Sequence, residues 1–503
     1  MSDRQNHSAP HSLDITMVTI KIAVALALCT ALCAQASNCR LLAHVDKFPG
    51  AVAPVNNYAG CWGMVGSDGH EYALVTARTG TIIYDCQNPV APVEVGFVPG
   101  PAPYMGIYFW REIRELDGYV YVSSEHGPVQ VIDMRKPSSP VLVGTFGQTA
   151  HAIGSDPQRK HLWLDGGPGN GAQIYDVNVN HTNPPLVAQY TANFVHDSFV
   201  QNGLAYLSLS LIGTLGIFDV SNLNAVKVES LTLTPGLLTH SAWVDDEDRI
   251  CTTTDENLGG GLTVYDVTNK NAPVLLSKWF SPSSPPATLH HQYLVDKVVH
   301  MSAYSDGYWA VDLSVPTNPQ LIAHFDTNPS TGVDYVGAWG CYPLQPSGAI
   351  YLSDTQTGLW IVQAIHGVPR LYGSGTRGKG GFVPRIEFGG GFARVGNATF
   401  ALNGRSVLGG TAAALLLGVA PTLQQVAGIE LLVDLASTVV VLPATATGAA
   451  GAAGAGTVSR TLPIPNQPGI AGFNLYAQWV VADAAAPGGK VAASCGFTVS
   501  ICP

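Results

Sequence analysis

The chain has 503 residues, of which 46% are hydrophobic and 12% charged, with 55 glycines and 34 prolines. This composition excludes a disordered chain and supplies core for roughly two to four domains, and Gly and Pro scattered between short apolar runs point to an all-β protein with many tight turns. A net charge of −11 without a local Lys/Arg cluster gives no footprint for nucleic acid, and no nucleic-acid partner is expected.

From Met17 the sequence MVTIKIAVALALCTALCAQA combines one lysine, an apolar run from Ile22 to Leu32 and an A-x-A site at Ala34, Gln35 and Ala36. It reads as a secretory signal peptide over residues 1–36, cleaved after Ala36. Asp3 and Asp14 suit a signal n-region poorly, which points to Met17 as an alternative start. The run is short for a span of about 20 residues, so a membrane anchor is the lesser reading and no transmembrane span is expected in the mature chain. Residues 37–56 are a short N-terminal segment beyond the cleavage site.

Over residues 57–370 one phrase recurs. It reads EYALVTARTGTIIYDCQNPVAPVEVG from Glu71 and GYVYVSSEHGPVQVIDMRKPSSPVLVG from Gly118, with looser copies near Lys160, Gly203, Asp248, Lys297 and Gly348. A period of roughly 43 to 51 residues marks a repeat architecture, because one such unit cannot bury its own apolar face. Each unit reads as four short strands, the composition of a propeller blade. Asp117-Gly118 and Asn202-Gly203 are hairpin signals, and Pro89, Pro92, Pro137, Pro140, Pro273, Pro316 and Pro319 fall before the outermost strand, where a ladder donor is least needed. The count gives a seven-bladed β-propeller; a parallel β-helix competes poorly because its coils are shorter. An acid closes the third strand of each unit at Asp85, Asp133, Asp176, Asp219, Asp266 and Asp312, with Gln363 in the last copy. Its place before a turn predicts a carboxylate that caps backbone N–H groups, an architectural role.

The strings YAGCWGMVGSDGHEYALVTARTGTIIYDCQNPVAPVEVGFVPG and WREIRELDGYVYVSSEHGPVQVIDM resemble the choice-of-anchor B family, whose units are similar to LVIVD repeats. The resemblance covers residues 57–370 and implies a secreted or surface propeller with a variable C-terminal attachment. It implies no activity for particular residues.

GSGTRGKGGFVPRI, after Tyr372, reads as a Gly-rich linker over 371–381. Residues 382–503, with alternating stretches such as ATFALNG and FNLYAQWVV, predict a small β-sandwich, with TGAAGAAGAGTVS as a flexible loop. The run TAAALLLGVA is too short to cross a bilayer. PNQPGIAGFNLYAQWVV resembles C-terminal modules of secreted planctomycete-like bacterial proteins, which implies surface attachment or sorting.

Without Cys29 and Cys33, which leave with the signal, the cysteines are Cys39, Cys61, Cys86, Cys251, Cys341, Cys495 and Cys502. Their number is odd, and none has C-x-x-C spacing. Cys61 in CWG and Cys341 in WGC, at the two ends of the array, are the favoured disulfide; Cys495–Cys502 is the second choice, and free buried thiols are the alternative.

His151, His196, His240 and the pair His290 and His291 recur at the start of the innermost strand of their units, with Arg111 in the slot of the second unit and Trp62 and Trp339 in those of the first and last. In a propeller such positions form a ring around the axis. Imidazoles there can bind a divalent metal such as zinc, with His196, His240 and His291 as the leading ligands, or act as general acids and bases; Glu112, Asp197 and Asp334 can add carboxylates. The competing reading is inter-blade hydrogen bonding. Tyr104, Tyr108, Phe109 and Trp110 form either a ligand platform or ordinary blade packing. GGPGNG from Gly166 lacks the Lys-Ser/Thr of a phosphate loop and reads as a hairpin turn. The function expected is a secreted or cell-surface scaffold binding an extracellular protein or glycan. The alternative is a metal-dependent extracellular hydrolase or lyase that uses the histidine ring at one mouth of the channel.

Overall fold

The computed structural model describes residues 36–50, 56–101, 109–328, 335–365, 367–426, 428–437 and 439–502. Residues 1–35 of the expected signal segment, Tyr104, Tyr108 and Asp334 lie outside the described residues. Within the described residues the repeat array folds as a β-propeller; seven antiparallel sheets are described there, five of them sequential four-stranded meanders and the other two each completed or extended by a strand from residues 36–45. The innermost strands are Tyr58–Val65, Ile113–Leu116, Ala152–Asp156, Asp197–Gln201, Thr239–Val244, Gln292–Val295 and Ala338–Tyr342. Each neighbours the next, and the last neighbours the first. Seven apolar clusters lie between successive sheets, from Leu74, Ile83 and Val120 between the first and second to Tyr351, Ile361 and Val75 between the seventh and first. Middle strands are covered on both faces, which is why runs such as Tyr72–Val75 are buried without alternation.

The recurrent phrase has a physical origin. The outermost strand carries a β-bulge in every sheet, at Ile83/Tyr84, Leu142/Gly144, Ile174/Tyr175, Ile217/Phe218, Val264/Tyr265, Ala310/Val311 and Leu41/Ala43. The glycine of PVhVG (h, apolar) lets the next sheet's turn approach: a Cβ on Gly96 would collide with Pro140, and one on Gly144 with the Thr182 carbonyl. Each recurring aspartate accepts the backbone N–H two residues on: Gln87 to Asp85 (2.8 Å), Arg135 to Asp133 (3.0 Å), Asn178 to Asp176 (2.9 Å), Ser221 to Asp219 (2.9 Å), Thr268 to Asp266 (2.8 Å) and Ser314 to Asp312 (2.7 Å). These Asx turns lead the chain into the outermost strand.

The seventh sheet takes its outermost strand from the start of the chain. Cys39–Val45 pairs antiparallel with Gly358–Ala364, and Ala36–Ser37 adds a fifth strand to the sixth sheet beside Phe325. Residues 37–45, read from sequence as lying ahead of the array, therefore close it. In place of a turn acid, Gln363 accepts from Arg40 of that closing strand.

Beyond the array, Arg370–Tyr372 pairs with Gly496–Ser500 at the edge of a six-stranded sheet whose interior strands are Asn474–Ala482 and Ala412–Gly418. The Gly-rich segment after it is built into the structure and does not act as a free linker: Thr376 bridges Ala493, and the Lys379 N–H donates to Asp483 at 2.7 Å. The segment 447–455 is likewise fixed, with the Gly451 N–H on the Gly409 carbonyl. Arg385–Gly389, Ala401–Val407 and Gly456–Thr461 form a second sheet, and Trp479 is fully buried. This unit contacts the strand 1–2 turns of the propeller through Arg385–Asp246 (2.7 Å), Arg405–Glu247 (3.3 Å) and the Lys297 ammonium on the Phe388 carbonyl (2.5 Å). Those turns lie at the opposite end of the innermost strands from the histidines. No helix among the described residues is long and apolar enough to cross a membrane.

Neither expected disulfide is present; the cysteines among the described residues are free thiols. Cys61 lies against Gly340 and donates to the Tyr351 carbonyl at 3.5 Å, whereas Cys341, the next residue of that strand, points to the other face. Cys495 and Cys502 bracket the strand Gly496–Ser500, which holds them roughly 20 Å apart along extended chain, beyond the reach of a bridge.

Deleting residues 36–45 leaves the edge of Gly358–Ala364 unpaired, and the thermal midpoint should drop by at least about 10 °C with concentration-dependent aggregation; an unchanged melt would show that the closing strand is dispensable. Asp296, with Oδ2 buried and unpartnered, is pushed up to about 8 by burial and by Glu387, against the pull of Lys297. Because this is above the unfolded value of about 3.9, stability is lost as pH rises through roughly 4 to 8. The gain from Asp296→Asn in urea denaturation should therefore grow from pH 5 to pH 8.

Candidate functional site

The histidines enter the hub because each stands where an innermost strand begins. Their backbones are pinned to the second strand of the same sheet, His151 N–H to Asp165 O (2.8 Å), His196 to Ser208 (2.8 Å) and His290 to Ser302 (2.9 Å). The strand register shifts between Thr239 and Ser241 and again between Ala338 and Gly340, and such bulges re-aim the extra residue, here His240 and Trp339. The rings form a row across four sheets: centroids are 4.3 Å apart for His151–His196, 4.1 Å for His196–His240, 4.1 Å for His240–His290 and 4.5 Å for His290–His291. His240 and His290 are 1% and 2% exposed.

Carboxylates border this row. His151 Nδ1 is 2.8 Å from Glu125 Oε1, and its Nε2 is 2.9 Å from His196 Nε2. His240 Nε2 is 3.5 Å and His290 Nε2 3.9 Å from Glu256, whose Oε1 accepts from Tyr304 at 2.6 Å. His291 Nε2 is 3.2 Å from Glu112. Arg114 lies below, 3.7 Å from Glu112 and 4.0 Å from Asp197, with its guanidinium 4.7 Å from the Trp62 ring. His290 Nδ1 donates to the Trp339 carbonyl at 2.6 Å, an inter-sheet bond. Neither nitrogen of His240, nor Nδ1 of His196, has a hydrogen-bond partner among the described residues.

Burial first, and neighbouring imidazoles second, hold His196, His290 and His291 well below the usual histidine range. His240 is lowered by burial, with Glu256 and Asp197 pulling the other way. Burial pushes Glu112 up to about 8 despite Arg114, and raises Asp197 against the same guanidinium. Burial thus favours the neutral ring at His196, His240, His290 and His291, which are bordered by acidic side chains and one guanidinium. That arrangement suits metal ligation or proton transfer.

The structure gathers His151, His196, His240, His290 and His291 but not Arg111. Arg111 turns between the first and second sheets and donates to the Ala77 carbonyl (3.1 Å) and Gln130 (2.7 Å), while its neighbour Glu112 faces the histidines. In the first sheet the bulge places Ala59 in the slot assigned to Trp62, and Trp62 lies beneath Arg114 instead. Trp339 packs on His290 at 4.5 Å and stacks with Trp110 at 5.5 Å; Phe109 is core. GGPGNG is a hairpin connection closed by the Gly166 N–H on the Gly171 carbonyl. Sequence reasoning missed Glu125, Glu256 and Arg114. Glu125 and Glu256 each stand just after a second strand, in SSEHG and TDENLG, and comparing units at that loop position would have found them.

The LVIVD repeat model matches residues 113–147. No curated protein matches the chain. Among solved structures the chain is similar to the WD40 repeats of RRP9, at 10% identity and a TM-score of 0.47, covering 65% of this chain and 97% of that one.

Arg111→Ala removes the donors of two buried acceptors and should cost about 1–3 kcal/mol in urea denaturation. A loss below about 0.5 kcal/mol would contradict the structural role.

Proposed function

We propose that the chain is an exported, cell-surface scaffold that binds an extracellular protein, built as a seven-bladed propeller of the choice-of-anchor B kind with a C-terminal β-sandwich for attachment or sorting. The propeller fold suggests an interaction scaffold, and one observation carries the reading further. Leu211, Ile212, Leu233, Leu237 and Leu258 are exposed, from 45% for Ile212 to 72% for Leu211. Leu233 ends the outermost strand of the fourth sheet, and the others lie in loops of the fourth and fifth sheets, on the face where the histidines begin. Gly213 packs on Leu237, and the Asn257 side chain binds the Gly236 carbonyl, so the loops bearing these residues touch one another. Exposed aliphatic side chains gathered on adjoining loops in this way mark protein contacts. The C-terminal unit docks on the opposite face and leaves this one free. An aliphatic patch suits a protein better than a glycan, which favours aromatic platforms. The enzymatic alternative asks for a reacting centre open to substrate, whereas His240 and His290 are enclosed by the described residues.

The chain, with a photo-crosslinker beside the patch, should capture one defined surface or secreted protein. Leu211→Asp/Leu237→Asp should weaken that capture at least about tenfold with an unchanged melt. Equal capture by the double variant would sink the assignment.

A further inference from the structure

We propose that the hub of the propeller binds one divalent transition-metal ion, with His240 as its central ligand, His290, His291 and His196 as further nitrogen donors and Glu256 as the carboxylate. Two groups of donor atoms overlap at His240: one with His290 and His291, the other with His196 and Glu256. Within each group the ligand atoms lie within 4.8 Å of one another.

Hydrogen bonding decides where the lone pairs are. The Trp339 carbonyl can only accept, so His290 carries its proton on Nδ1, and Nε2 is left as a donor atom aimed toward Glu256. Tyr304 holds one oxygen of Glu256 and leaves Oε2 toward His240. Glu125 accepts a hydrogen bond from the Nδ1–H of His151, which leaves Nε2 of that ring to accept, and the 2.9 Å contact makes His196 Nε2 the donor. Nδ1 of His196 then carries a lone pair, buried and without a partner.

His240 is the observation that hydrogen bonding alone does not explain. A ring 1% exposed whose Nε2 stands 3.5 Å from Glu256 and whose nitrogens make no hydrogen bond among the described residues is a cost to the fold. If these histidines served only to tie sheets together, each would have an acceptor as His290 does. A cation bound to its Nε2 lone pair removes much of that cost, and the Glu256 carboxylate offsets part of the charge. Four imidazoles and one carboxylate select a borderline ion of the zinc, cobalt, nickel or copper class; magnesium and calcium require mainly oxygen. No thiolate competes, since burial holds Cys61 and Cys341 protonated, with Cys61 up at about 12.

The test uses the full chain, stripped by chelator and then titrated with Co²⁺ or Zn²⁺, with elemental analysis and the Co²⁺ visible spectrum as readouts. About one ion per chain and a Co²⁺ ligand-field band are expected. His240→Gln and His291→Ala should weaken binding at least about tenfold and abolish the band, while His181→Ala, a ring on the Tyr121 hydroxyl away from the hub, should change neither. Chelator should lower the melting midpoint of the wild type and leave that of His240→Gln unchanged. A stripped wild-type chain that takes up less than about a tenth of an ion, or a folded His240→Gln that binds as the wild type does, would overturn the proposal. Should a variant fail to fold, the wild-type stoichiometry and spectrum decide alone.

Discussion

The pairing of Cys39–Val45 with Gly358–Ala364 is the constraint on which the rest of the molecule depends. Sheets that twist and pack face to face form a ring only if the last meets the first, and here one sheet is shared between residues 39–45, ahead of the first sheet, and the last strands of the array. Once closed, every sheet has an apolar neighbour on each side, and no large sheet face of the array stays in water. Closure also creates the hub. Glu112 of the second sheet and His291 of the sixth lie 3.2 Å apart, although more than half of the repeat array separates them in sequence.

The hub breaks the rules that govern the rest of the propeller. Between the sheets, apolar side chains interlock and the buried tyrosines are mostly bonded; at the axis, imidazoles, carboxylates and a guanidinium crowd together with several nitrogens unpaired. Such a centre is costly to bury, and a closed ring is rigid enough to hold it. The two faces are unlike for the same reason. One receives the C-terminal unit through Arg385, Arg405 and Lys297, and the other carries the histidines and the exposed leucines.

Much of this was legible in the residues. The acid before each Pro-rich turn reads directly as an Asx turn, because a carboxylate and an N–H two residues on are joined whatever the rest of the fold does. The row of histidines was visible because repeats place like slots at like radii. Arg111 misled: its slot is equivalent, yet its longer side chain reaches the Ala77 carbonyl and Gln130 and leaves the axis to Glu112. The cysteines misled through matching strings, since a one-residue offset along a strand turns Cys341 to the face away from Cys61. The closing strand was hidden because the last unit lacks its own outer strand, and CRLLAHV, the run that supplies it, stands at the other end of the array.

By itself the sequence determined strand spacing, turn chemistry and the repeated unit, all of which arise from hydrogen bonds and apolar periodicity within a dozen or so residues. Tertiary structure alone decided which imidazoles converge, which carboxylates face them and where the chain closes. Those outcomes depend on bulges that re-aim single side chains and on pairing between distant segments, and neither is carried by any local pattern.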